Sequence, residues 1–146
     1  DLSSWDVSKV TTFGGTFMDA SSFNGDLSSW KFPSAFTTAV MFRGASSFNQ
    51  DISSWDVSSV GNMQGMFHGA SLFDQDISSW DVSSVTNMKW LVYEASSFNQ
   101  DLCPWTSLLP SNALVFNPFA RTSCPTIITR PSLSSDPKGP FCHVCT

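Results

Sequence analysis

A period of 25 residues runs through this chain and limits what it can become. Asp-Leu/Ile-Ser-Ser-Trp recurs at 1–5, 26–30, 51–55 and 76–80, and a fifth, divergent copy reads Asp101-Leu102-Cys103-Pro104-Trp105. Ala-Ser-x-Phe recurs in step at 20–23, 45–48, 70–73 and 95–98. A unit this short cannot bury an apolar face alone, so successive units must stack. Stacking aligns equivalent side chains into columns: Trp5, Trp30, Trp55, Trp80 and Trp105; Phe23, Phe48, Phe73 and Phe98; Leu2, Leu27, Ile52, Ile77 and Leu102. These columns are the expected core. Charged residues are only 13% of the chain, about half the usual ~25%, and aromatic residues reach 14%.

Two hydrophobic periods share each unit. In the third, Trp55 and Val57 flank Asp56 with the alternation of a strand. Val60, Met63, Met66, Phe67 and Ala70 then recur at spacings of three and four, which predicts a helix. Ser58 or Ser59 would cap it and Gly69 would end it. One coil is thus expected to hold a strand, a turn, a helix and a return. The fold class is α/β: a solenoid over residues 1–125, made of four full units and a divergent fifth, followed by an extended C-terminal tail over 126–146.

The four cysteines, Cys103, Cys124, Cys142 and Cys145, fall after the full repeats. Four cysteines allow three complete pairings, and sequence does not choose among them. The expectation is a disulfide-stapled C-terminal cap joining Cys103 to Cys124, with Cys142 bonded to Cys145 or to another chain. Disulfides place the protein outside the cell or on its surface. A chain starting at Asp1, without an initiator methionine, fits a trimmed secreted protein.

The stretches Ala45–Val60 (ASSFNQDISSWDVSSV) and Asp76–Met88 (DISSWDVSSVTNM) resemble the 25-residue leucine-rich-repeat-like units of BspA-type bacterial surface proteins and mycoplasma lipoproteins. They also look like repeats of secreted algal proteins, whose C-terminal ends the TSCP and GPFCHVC segments resemble. The likeness covers 1–101 fully and 102–125 loosely. It implies a right-handed solenoid used for adhesion, recognition or structure, and carries over no catalytic residue. The asparagine of ordinary leucine-rich repeats is absent, with Val10, Val60 and Val85 near its place, so a standard asparagine ladder is not expected.

Charge and motif content exclude several functions. The net charge is −5, with the acidic excess in residues 1–101 and a slightly basic remainder. Seven dispersed basic residues make no nucleic-acid stripe. No apolar run is long enough for a membrane span. His68 and His143 belong to no hydrolytic or zinc motif, so no enzyme activity, cofactor or metal is expected. The column Asp1, Asp26, Asp51, Asp76 and Asp101 suits turn corners better than calcium. The paired serines beside it are candidate O-glycan positions. Departures from the repeat mark candidate contact residues. Phe36 stands where other units have Thr11, Gly61 and Thr86, and Val40 and Trp90 where others have Gly15 and Gly65. Tyr93 shares a variable column with Met18, Arg43 and His68. In the tail, Ile127 and Ile128 could add a strand to an open edge of a neighbour. The expected function is therefore structural: head-to-tail self-association into a surface or matrix filament. The alternative is a cell-surface adhesin that binds a glycan or protein through the solenoid face.

Overall fold

The computed structural model describes residue 2 and residues 4–124; the proposed tail, with Ile127, Ile128, Cys142 and Cys145, lies outside them. The period is realised as coils stacked side by side. Four parallel bridges join equivalent positions, Thr12 to Thr37, Thr37 to Asn62, Asn62 to Asn87 and Asn87 to Leu114. The last step spans two residues more than the others, so the fifth coil is longer.

The α/β class is overturned. Among the described residues there is no α-helix and no sheet, only those isolated bridges and one 3-10 helix, Cys103–Ser107. The chain is therefore not a leucine-rich-repeat solenoid of strands and helices. Backbone hydrogen bonding gives the reason. In the stretch expected to be helical, Met66, His68 and Ala70 donate N–H bonds to Met63, Gly65 and Phe67, three residues back. The alternate donors Met63, Gly65, Phe67 and Gly69 reach instead to Asn87, Lys89, Leu91 and Tyr93 of the next coil, at 2.8 Å each. A helix would need all of these donors for its own turns. Consecutive β-turns bring every third or fourth residue to one side, which is why the pattern reads as helical. The backbone takes left-handed φ at Gly65 (57°) and Gly69 (71°), which no α-helix contains.

The expected strand is likewise two turns. Trp55 N–H donates to Ile52 and Val60 N–H to Val57. Each turn begins with an aspartate whose Oδ1 accepts the N–H of the serine two residues on, Asp51 from Ser53 at 2.9 Å and Asp56 from Ser58 at 3.1 Å. Asp-x-Ser-Ser-apolar thus occurs twice in the third and fourth coils, and both copies are Asx-turns. A further side-chain ladder sits at the return: Asn49, Asp74 and Asn99 each donate N–H to the Oδ1 of Asn24, Asn49 and Asp74 in the coil before. A ladder of this kind was not expected.

The core is built from stacked rings. Phe48 lies 6.1 Å from Phe73, which lies 5.9 Å from Phe98, both pairs within 11° of parallel. A second column, Phe17, Phe42 and Phe67, stacks beside it, with Phe67 3.9 Å from Phe73 within one coil. The Trp column is buried from Trp30 to Trp105, whereas Trp5 is 60% exposed. Each central indole also crosses coils, Nε1 of Trp30, Trp55 and Trp80 donating to the carbonyls of Leu2, Leu27 and Ile52. Trp105 breaks the series: its Nε1 is buried without a partner, in the coil where Pro104 enters the 3-10 helix.

The expected disulfide staple is not seen. Cys103 and Cys124 are each disulfide-bonded, but no bond joining one to the other occurs among the described residues. Cys103 opens the 3-10 helix, whereas the Cys124 sulfur lies against the carbonyl of Phe98, 3.6 Å away, at the return of the preceding coil.

Three outcomes test this account. Trp55→Ala removes a 3% exposed side chain and leaves the Leu27 carbonyl without its indole donor. It should cost about 3–5 kcal/mol in urea unfolding. Thr38 is fully buried with its hydroxyl unpaired, where the coils on either side place Phe13 and Met63. Thr38→Val should stabilise by roughly 1 kcal/mol, because it removes an unsatisfied polar group from the core at little change of volume.

Acid should weaken the stack through its corner aspartates. The hydroxyl and N–H of Ser8, Ser58 and Ser83 hold Asp6, Asp56 and Asp81 below the ordinary carboxylate range. The N–H and hydroxyl of Ser28 and Ser53 do the same for Asp26 and Asp51. A depressed folded pKa means that the unfolded chain takes up protons first. The contribution is full above the ordinary aspartate value and is lost as pH falls through the lowered ones. A D26N/D51N/D81N variant should show a smaller fall in urea midpoint between neutral pH and about pH 3 than the parent.

Candidate functional site

The turn ladder exposes one face on which the repeat is broken. Each coil carries a left-handed residue at the same station: Gly15, Val40, Gly65, Trp90 and Asn117, with φ between 43° and 70°. Glycine takes this conformation freely. For L side chains it costs roughly 1–2 kcal/mol, and a β-branched residue there is an outlier. Val40 (51°) and Trp90 (57°) are nevertheless left-handed, and each flanks a coil that keeps glycine.

That alternation makes a groove. Gly65 is buried at its base, and a Cβ built there would meet Val40 Cγ1 at 3.4 Å and His68 Cβ at 3.7 Å. Val40 and Trp90 are its walls, in the coils on either side. Arg43, Gln64, His68, Tyr93 and Asn117 complete the lining of a space of about 380 Å³. The groove spans four coils.

Its polar groups are arranged by the same ladder. The side chain at the bridge station accepts the one N–H that the turns leave over: Gln64 N–H goes to Asn62 Oδ1 at 3.0 Å and Lys89 N–H to Asn87 Oδ1 at 3.2 Å. Asn87 Nδ2 in turn donates to Gln64 Oε1 at 3.0 Å, which leaves the Gln64 NH2 as a donor. On the far wall Arg121 hydrogen-bonds Glu94 and lies 5.7 Å above the Tyr93 ring. His68 Nε2 is 3.5 Å from the second Glu94 oxygen, and its ring meets Tyr93 edge-on at 5.1 Å. Trp90 is braced edge-to-face by Phe116 at 6.0 Å. No group of three or more His, Cys, Asp or Glu side chains converges among the described residues as a metal site would require. No described helix is long and apolar enough to cross a membrane.

Of the contact residues expected from sequence, Val40, Trp90 and Tyr93 come together here. Phe36 does not line the groove. It is 60% exposed, and its carbonyl accepts the N–H of Gly61 and Asn62 in the next coil. Arg43, Gln64, Gly65, His68 and Asn117 were missed. The available signal was the column Met18, Arg43, His68, Tyr93, whose chemistry changes at every unit; as the outer face of a helix it carried no site, whereas on a turn ladder it lines one.

The sequence pattern of one family, described as a mycoplasma protein of unknown function, DUF285, matches residues 1–43 and 34–119. Neither the curated proteins nor the solved structures give a match.

Proposed function

The chain belongs to the DUF285 family of BspA-like repeat proteins, and we propose that it is an extracellular or cell-surface recognition module of that family, of the secreted algal type, which binds a glycan or protein ligand without chemical turnover. One observation carries this reading: at the station where Gly15 and Gly65 are left-handed, the second and fourth coils place bulky apolar residues instead, Val40 and Trp90, and these two are the walls of the groove. Strain of this kind persists where the side chain serves something other than stability. Gly15 and Gly65 occupy the same station, so the fold itself does not require either bulky residue. The groove also pairs apolar surface with a few convergent polar groups, as small-ligand sites do.

The recognition reading is tested by restoring glycine. In a V40G/W90G variant, relief of left-handed strain offsets the loss of two half-buried side chains, so the urea stability should stay within about 1 kcal/mol of the parent. Retention on an array of glycans and surface proteins should fall at least tenfold. A variant that keeps every parental interaction would remove the groove from consideration.

A further inference from the structure

Resting on the recognition reading, we infer that the groove takes a carboxylate-bearing saccharide, with Arg43 as its anion partner and Trp90 as its stacking surface. Charge is the first argument. The chain is acidic overall, at −5, but most of its carboxylates stand at the Asx-turn corners, each bound to a serine or, at Asp101, to the Cys103 N–H. The turn ladder carries Arg43, Lys89 and Arg121 against Asp19 and Glu94. Glu94 is engaged by Arg121 and His68. What faces the groove is therefore a guanidinium, Arg43, and an amide donor, the Gln64 NH2. An arginine fork matches a carboxylate with two parallel hydrogen bonds. In an otherwise acidic molecule, this is where an anion is favoured.

Backbone accounting separates a saccharide from a peptide. A peptide bound in extended form pairs its main chain with open N–H and C=O groups. Here the N–H groups of Val40, Gly65 and Trp90 already bond to Gln64, Lys89 and Phe116. The groove offers no backbone donor at these positions, and recognition falls to side chains. A flat, half-buried indole next to amide and guanidinium donors suits a sugar ring, which has an apolar face and an acceptor-rich rim.

The probes are oligouronates of about six residues (galacturonate and mannuronate), a neutral glucan oligomer of the same length and a hexaglutamate peptide, titrated calorimetrically into the purified protein. At least one oligouronate should bind. Arg43→Gln and methyl esterification of that oligouronate should each weaken binding by about tenfold or more, the scale of one charge-assisted contact. Trp90→Gly should weaken it similarly, and added salt should reduce but not abolish it. Equal binding of the neutral glucan, unaffected by Arg43→Gln, would overturn the anionic ligand and leave glycan recognition standing. Binding of hexaglutamate in place of the oligouronates would overturn the saccharide and leave a recognition groove for acidic peptide. If no oligouronate binds, the inference falls; the array result for V40G/W90G then decides separately whether the recognition reading falls with it.

Discussion

Everything in this protein depends on how a turn-built coil satisfies its backbone. A β-turn uses one N–H in every two along the ladder, and an unpaired buried donor is costly. The remaining donors of each coil go to the next: Phe13, Gly15, Phe17 and Asp19 to Thr37, Ala39, Met41 and Arg43, and so on to Met88, Trp90, Val92 and Glu94, which reach Leu114, Phe116, Pro118 and Ala120. The one donor left over is taken by the side chain at the bridge station, Thr12, Thr37, Asn62 or Asn87. A single coil cannot close this scheme, so coils hold their shape only against one another. Cooperativity between neighbours is built into the hydrogen bonding before any side chain packs.

The ring columns follow from that arrangement. Because the ladder fixes the rise between coils, identical side chains repeat at a spacing that lets parallel rings pack offset, and Phe42 meets Phe67 at 5.6 Å within 2° of parallel. Trp55 and Trp80 do the same at 6.2 Å and 5°. Offset parallel rings at these distances attract, while the indole N–H ties each coil to a carbonyl of the previous one. In the fifth coil, where Pro104 enters the 3-10 helix, the indole of Trp105 has no such acceptor. The groove uses the same geometry in reverse. A station that wants glycine is given Val40 and Trp90, and the retained Gly65 becomes the base between them.

The sequence determined the period, the columns and their burial. Leu27, Ile52, Ile77 and Leu102 are fully buried, as are the phenylalanines from Phe48 to Phe98, because strict repetition leaves stacked neighbours no alternative partners. It also marked Val40, Trp90 and Tyr93 as departures worth explaining. The local structure and the path of the cysteines were decided by the tertiary structure. Spacings of three and four are common to a helix and to a run of β-turns, and only the next coil, by accepting alternate N–H groups, selects the turns. The Cys103 to Cys124 staple is not seen, and the station each cysteine takes, Cys103 opening the 3-10 helix and Cys124 against the Phe98 carbonyl, is set by how the coils stack. The groove was beyond the sequence for the same reason: Val40, Gly65 and Trp90 are 25 residues apart and become neighbours only when the coils stack.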